Sequence, residues 1–223
     1  MQPLSAQRIA ATAIRHRINE RRMHVGLYNG SLTREQFMFR EMRIVARLYK
    51  NGLSNAEITD TVYRDNLFQY PTERVITKNC RAALNRLTCI ACSEALLDML
   101  AQGDTQQAKQ AALVAMMCQS RLLAEFMTDV IGEKYRAFDL TLTSKDVNVF
   151  FACLGEKDEA VAAWSPETVK RIKSVLMNVL RENGYLEKIG STRLCPVQIS
   201  DEFERALRAA GMQRFLPAFN VID

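Results

Sequence analysis

Glycine and proline are scarce in this chain, with nine and five among 223 residues. Together with an apolar fraction of 48%, this composition excludes collagen-like and disordered classes and is that of an ordinary globular protein. The six cysteines are too sparse for the disulfide framework of a small secreted domain. The longest apolar run, residues 111–118, is far shorter than the roughly 20 residues that span a bilayer, so we expect no membrane association.

Motifs that carry catalysis are also lacking. The chain has no phosphate-binding P-loop, no dinucleotide-binding glycine pattern and no paired acidic motif of nuclease type. Cys89 and Cys92 form a lone CxxC, and the only histidines, His16 and His24, lie far from it in sequence, so a four-ligand zinc site is not expected. The sequence predicts a protein that is not an enzyme, with no metal, cofactor or small-molecule substrate. The two thiols are expected in a buried helix turn.

The charge of the chain is unevenly distributed along it. Thirty basic and 25 acidic residues give +5 overall, but residues 1–50 alone hold ten basic and three acidic residues, a net +7. Residues 51–143 carry nine against 11 and residues 144–223 carry 11 against 11. A charged N-terminus without an apolar stretch predicts no signal peptide, and we expect a cytoplasmic protein with reduced thiols.

Residues 1–30 form a basic N-terminal arm with helix-forming composition. Its apolar positions make a thin stripe: Ile9, Ala13, Ile14 and Ile18. Its candidate DNA-contacting residues are Arg15, Arg17, Arg21 and Arg22. An arginine-rich arm favours salt-sensitive contact with DNA of any sequence. A helix that packs along the body of the protein, with its arginines paired or solvated, explains the pattern equally well.

Residues 31–92 are predicted to form a helical module of helix-turn-helix type. Its first helix is expected to start at Thr33 and to end near Lys50, and its second helix starts at a capping box of Ser54 and Glu57. The third helix opens after Thr72. Its basic residues share one face: Arg74, Lys78 and Arg81. That spacing favours a nucleic-acid contact, while an ordinary solvated face is the alternative.

Residues 93–143 are predicted to be a helical connector. A short helix ends near Gly103, and Asp104 caps one long helix from about Thr105 to Lys134. The apolar positions of that long helix cover more than one side, which indicates burial on several faces.

Residues 144–223 have the order of elements of a winged helix-turn-helix domain. Ser144 is expected to cap one helix, and Ser165 followed by Pro166 starts a long amphipathic helix. Two strand-like runs, residues 185–189 and 192–199, are separated by a turn signal and predict a short β-hairpin, the wing. In such domains the long helix enters the major groove and the wing contacts the backbone or minor groove.

The candidate DNA-contacting residues of this domain lie on the long helix and on the wing. On the helix they are Lys170, Arg171, Lys173, Asn178 and Arg181. On the wing they are Lys188 and Arg193. Lysine and arginine mostly contact phosphates, while Asn178 and the arginines also suit base edges. A domain used for protein contacts is the alternative.

Several segments resemble a known family. The segment 41–52, EMRIVARLYKNG, resembles the opening signature of the BrxA family of bacterial BREX phage-defence systems. Further segments that look like this family are residues 65–70, 103–104, 132–135, 139–142 and 147–151. The resemblance covers roughly residues 28–190. It implies a mainly helical, non-enzymatic component of a multi-protein system that methylates host DNA and restricts phage DNA.

Three hypotheses about function follow. The resemblance implies a family that binds double-stranded DNA, and the basic faces favour the same role, with other BREX proteins as partners. The family's likeness to an RNA-binding antitermination fold makes an RNA-binding module the first alternative. A protein–protein adaptor within the defence complex is the second.

Overall fold

The computed structural model describes Tyr28, Leu32, residues 36–188 and residues 190–221. The first half contains α1 (Phe39–Lys50), α2 (Asn55–Arg64), α3 (Glu73–Ile90), α4 (Glu94–Gln102) and α5 (Thr105–Gln119). The second half contains α6 (Arg121–Glu125), a π-helix (Phe126–Gly132), α7 (Glu133–Arg136), α8 (Ser144–Lys157), α9 (Glu159–Ala162), α10 (Pro166–Glu182), α11 (Asp201–Ala209) and a 3-10 helix (Gln213–Phe219). The mainly α-helical class is therefore confirmed.

Helix α5 lies at the centre of the N-terminal helices, where α1, α3 and α4 all pack against it. Residues 111–117 are seven consecutive positions with almost no exposed surface, as expected for a helix that is covered on every side. The buried side chains form one cluster from Tyr28 to Phe219. The division into four segments at residues 30, 92 and 143 stays a prediction. None of the described helices is long and apolar enough to cross a membrane.

Helix α1 begins later than the sequence predicts. Thr33, its expected cap, lies outside the described residues, and residues 36–38 are not helical. The helix starts at Phe39, after Met38 with a left-handed φ of 51°. The carbonyls of residues 36–37 point instead to the guanidinium of Arg86, which donates to them at 2.8 and 2.9 Å. A contact 50 positions away in sequence thus decides where this helix starts.

Helices that start at a capping residue a few positions away mostly begin where the sequence predicts. The Ser54 amide donates to the Glu57 carboxylate at 2.8 Å, and the Glu57 amide donates to the Ser54 hydroxyl at 3.3 Å. Ser165 caps α10, whose first residue is the predicted proline. At α8 the prediction is off by one residue, because Thr143 rather than Ser144 is the cap.

The predicted long helix of residues 105–134 is broken. Ser120 has extended backbone angles. Its amide donates to the carbonyl of Met116, and this is the last backbone hydrogen bond of α5. Its hydroxyl accepts from the amide of Leu123 at 3.3 Å and starts α6. One serine therefore ends one helix and caps the next. The chain then passes into the π-helix, a rare geometry that frequently occurs at functional sites.

The π-helix packs tightly against the C-terminal 3-10 helix. A Cβ added at Gly132 would lie 2.9 Å from the Cβ of Pro217 and 3.1 Å from its carbonyl oxygen. Contacts this short with backbone atoms force the two segments apart.

Gly132→Ala is therefore expected to lower the free energy of unfolding by about 1–3 kcal/mol in urea denaturation. Gly155→Ala in α8 is the matched control, because a Cβ there meets nothing closer than 3.7 Å. We expect this control to raise stability by about 0.5–1 kcal/mol, since alanine favours helix more than glycine does. Equal effects of the two substitutions would contradict the tight packing at Pro217.

The predicted β-hairpin wing is wrong: the described part of residues 185–199 contains no β-strand. Instead, residues 192–194 run antiparallel to residues 140–142, with one bridge between Thr141 and Arg193. The Leu142 amide donates to the Thr192 carbonyl at 2.7 Å, and the amide of residue 194 donates to Leu140 at 2.9 Å. Burial of the leucines at positions 142 and 194 fixes this pairing, which the local turn signal does not encode.

Candidate nucleic-acid interface

Helix α3 carries a stripe of exposed basic side chains. Arg74, Lys78 and Arg81 are all exposed, and the helical repeat places them in one line with exposed Asn85. The stripe from residue 74 to residue 85 is about 16 Å long at 1.5 Å per residue. The opposite face of α3 is buried in the core, so the stripe is turned outward by packing. We call this line of four residues the α3 stripe.

A cleft of about 600 Å³ runs along the α3 stripe. Tyr63, at the end of α2, forms one wall, and its hydroxyl is bonded to the carboxylate of Glu73. That hydrogen bond is the largest cause of the raised pKa of Tyr63. The lining includes Arg74, Lys78 and Arg81, and Glu73 is its sole carboxylate. Three cations with one anion give this lining a net positive charge.

The outer face of α10 gathers the second predicted set. Lys170 and Arg171 are exposed, Asn178 is half-buried, and the buried residues of α10 lie on the opposite side. Arg171 forms an exposed i,i+4 ion pair with Glu167 at 3.3 Å. No ion pair joins Lys170 to any residue that the structure describes.

Two further cations of α10 are engaged with neighbouring groups. The ammonium of Lys173 donates to the side-chain oxygen of Asn148 at 2.6 Å and lies 5.2 Å from the centre of the Phe151 ring. Arg181 lies 3.9 Å from Glu182. These contacts tie part of the α10 charge to the protein itself, so this face is less basic than its sequence suggests.

The remaining candidate DNA-contacting residues do not belong to α3 or α10. Lys188 and Arg193 are exposed, but they lie in the irregular loop that replaces the expected hairpin. The arm residues Arg15, Arg17, Arg21 and Arg22 lie outside the described residues.

Part of the N-terminal basic charge has a structural role that the sequence reading missed. Arg43 and Arg47 of α1 donate to the carbonyls of Gly103 and Ala101 at 2.6 and 2.8 Å. Lys50 follows on the same face and pairs with a carboxylate of α4 at 2.6 Å. Cations at the end of α4 bond its last carbonyls, which lack partners within the helix, and compensate the negative end of its dipole. The i, i+4, i+7 spacing of Arg43, Arg47 and Lys50 in the sequence indicates that these three cations share one face of α1.

The cysteines do not form a metal site in the described part of the chain, where no group of three potential metal ligands is found. Cys89 lies half-buried in the last turn of α3. Cys92 is exposed, so the expectation that both thiols are buried is wrong for this residue.

Comparison with known proteins decides the family. The profile of the BrxA family matches residues 26–211, which is most of the chain. The chain belongs to the BrxA family. This confirms the resemblance read from the segment 41–52 and places the protein with the BREX phage-defence systems.

Individual BrxA relatives support the same assignment. The BREX protein BrxA of Bacillus cereus (strain H3081.97) is 30% identical over 161 residues, 72% of this chain and 80% of the relative. BrxA of Paramagnetospirillum magneticum (strain ATCC 700264 / AMB-1) is 25% identical over 181 residues, 81% and 90% of the two chains. The crystal structure of an uncharacterized protein from Magnetospirillum magneticum has the same fold, with a TM-score of 0.72 at 24% identity, covering 86% of this chain and 97% of that one.

Proposed function

We propose that this BrxA-family protein binds double-stranded DNA within a BREX phage-defence complex, mainly through the phosphate backbone and without catalysing a reaction. The observation that carries the proposal is the α3 stripe with its cleft, where Arg74, Lys78 and Arg81 face solvent beside one carboxylate. Neither Arg74 nor Arg81 has an ion pair with any residue in the described ranges. Exposed arginines without internal partners are available to phosphates.

The dimensions of the α3 stripe suit a DNA duplex. Arg74 and Arg81 are separated by about 10 Å along the helix axis, close to the width of the major groove of about 12 Å. Arginines at this separation reach phosphates of the backbone without reading sequence. The acidic end of α2 stands nearby, but Arg64 lies between Asp60 and Asp65 at 3.2 and 3.3 Å and offsets part of their charge.

Helix α10 supplies a second contact surface in this proposal. Lys170 and Arg171 extend the backbone contacts, and Asn178 is the residue best suited to a base edge. Lys188 and Arg193 add cations from the loop after α10. The N-terminal arm contributes Arg15, Arg17, Arg21 and Arg22 on the strength of sequence alone.

The proposal is tested by fluorescence anisotropy with a labelled duplex of about 20 base pairs at low salt, near 50 mM. We expect binding at micromolar protein or below. Absence of duplex binding at micromolar protein would overturn the proposal.

An RNA-binding role is tested by competition. Unlabelled duplex DNA should displace the labelled duplex at lower concentration than a structured RNA of equal length. A clear preference for the RNA would replace DNA by RNA as the ligand, since single-stranded loops and 2′-hydroxyls are what RNA-binding proteins recognise.

A protein contact through α10 is the second candidate, in which other BREX proteins are the partners. It is favoured by the pairs of Arg171 with Glu167 and of Arg181 with Glu182, which lower the net charge of that face. Charge reversal at Lys170, Arg171 and Arg181 separates the two roles of this helix. Weaker DNA binding with intact complex assembly supports DNA contact, and the opposite result supports the adaptor role.

A further inference from the structure

A groove of about 590 Å³ lies between the π-helix with α7 and helix α8. Its apolar lining includes Val130, Val149, Phe150 and Leu154. Val149 is 52% exposed, and Phe138, between the lining residues Ala137 and Asp139, is 89% exposed. These are two of the four large hydrophobic side chains that stand exposed in the described part of the chain. Val149 in the lining, with exposed Phe138 next to two lining residues in the chain, indicates a contact surface.

The rim of this groove is acidic. Its carboxylates are Glu125, Asp129, Glu133, Asp139 and Asp146, and its cations are Lys134, Lys145 and Lys157. Five acids against three lysines give the lining a net charge of −2, and Arg121 and Arg136 beside it pair with Glu125 and Glu133. Lys134 is held by two of these acids, at 2.8 Å from Asp139 and 3.3 Å from Asp146. The groove therefore combines an apolar floor with a negative rim and suits a basic amphipathic segment.

The N-terminal arm ends at the edge of the same groove. The hydroxyl of Tyr28 donates to the carboxylate of Glu125 at 2.6 Å, and Arg121 lies 4.4 Å from the centre of the Tyr28 ring. Burial and this hydrogen bond raise the pKa of Tyr28 well above its usual range, so the hydroxyl keeps its proton and stays a donor. Tyr28 is buried, and 27 residues precede it in the sequence.

The composition of those 27 residues complements the groove. They hold five arginines and one glutamate, a net +4, together with Ile9, Ile14 and Ile18 at near-helical spacing. A segment tethered this close to its site has an effective concentration near the millimolar range, so even a weak contact is populated.

We propose that the N-terminal arm docks in this groove of its own chain. Its isoleucines cover the apolar floor, and its arginines face the carboxylates of the rim. The docked arginines face the rim rather than DNA, so docking is an alternative to the DNA contact proposed for the arm and does not affect the contact proposed for the α3 stripe.

Native cysteines provide a test with the full chain. Cys153 is exposed and lines the groove, whereas Cys92 is exposed at the end of α3 and is absent from the groove lining. An Ala13→Cys variant places an additional thiol within the arm. A short bismaleimide reagent followed by tryptic mass spectrometry then identifies which native cysteine the arm reaches.

We expect residue 13 to be linked to Cys153 several-fold more often than to Cys92. A mixture of ¹⁴N- and ¹⁵N-labelled protein distinguishes links within one chain from links between copies. Equal linkage to both cysteines, no linkage to Cys153, or linkage only between copies would each overturn docking in cis.

Charge reversal at the rim tests the proposed arginine contacts, and charge reversal on α2 is the matched control. Asp129→Lys and Glu133→Lys alter exposed side chains of the rim, so the fold should be retained, which circular dichroism checks. Both variants are expected to reduce linkage to Cys153 several-fold, while Asp60→Lys on α2 leaves it unchanged. Linkage that is insensitive to the rim charges would contradict the proposed arginine contacts.

Discussion

Substitution of Arg86 by alanine is expected to lower the free energy of unfolding by about 3–5 kcal/mol. The side chain is only 1% exposed, although it is a charged group of α3. Its guanidinium donates to the carbonyls of Gln36 and Phe37 and, through Nε, to Gln119 at 3.1 Å. Alanine would remove these charged donors, leave a cavity and deprive the buried carbonyl of Phe37 of its arginine donor. Urea denaturation followed by circular dichroism measures the loss.

A second arginine of the same helix provides the control. Arg81 is exposed, and Arg81→Ala should change stability by no more than about 0.5 kcal/mol. The loss of stability in Arg86→Lys should lie between those of Arg86→Ala and Arg81→Ala, because an ammonium lacks the planar guanidinium that donates to several acceptors at once. Equal stabilities of the Arg86→Ala and Arg81→Ala proteins would show that Arg86 does not hold the segment before α1.

The double substitution Arg74→Glu with Arg81→Glu is expected to weaken duplex DNA binding by about 30–100-fold at low salt. Each change removes a proposed phosphate contact and places a carboxylate, which would repel DNA, in a cleft that already holds Glu73. Fluorescence anisotropy with the labelled duplex measures the affinity. The loss should be similar for unrelated DNA sequences, because backbone contacts carry no sequence information.

The matched control changes the same net charge elsewhere. Lys145→Glu with Lys157→Glu replaces two exposed lysines of α8, which are remote in sequence from the α3 stripe. If DNA binding depended only on the total charge of the protein, both double variants would lose the same affinity. We expect the α8 variant to retain affinity within about threefold of the unmodified protein.

The local features of this fold are encoded by neighbouring residues and could be predicted from the sequence. The capping box of Ser54 and Glu57, the proline start of α10 and the basic spacing on α3 all depend on positions a few residues apart. Helical repeat alone places the α3 stripe on one face, opposite the residues that the core covers. The family resemblance in the segment 41–52 is likewise a local pattern.

The features that the sequence did not predict depend on distant partners. Arg86 bonds the backbone before α1 from about 50 residues away, and residues 192–194 pair with residues 140–142, whereas one backbone bond, from Cys195 to Tyr185, joins the two runs of the predicted hairpin. Ser120 has an ordinary helical neighbourhood, and only the packing around it reveals a break. Which basic residues are available to a ligand also depends on distant partners. Arg43 and Arg47 count toward the N-terminal charge of +7, yet both donate to carbonyls at the end of α4.

The distinction between structural and available cations is central to the proposed function. Arginines of α1 are engaged with the protein, and part of the α10 charge is paired, whereas Arg74 and Arg81 of the α3 stripe face solvent. We therefore expect the α3 stripe, rather than the net charge of +5, to determine affinity for DNA.

The most direct test is the salt dependence of duplex binding, compared between the unmodified protein and the Arg74→Glu, Arg81→Glu variant. For the unmodified protein the logarithm of the association constant should fall with the logarithm of salt concentration at a slope of about −3 or steeper. The variant should show a slope shallower by about 2, one unit for each lost phosphate contact. An affinity that does not respond to salt, or equal slopes for the two proteins, would contradict DNA binding through the α3 stripe.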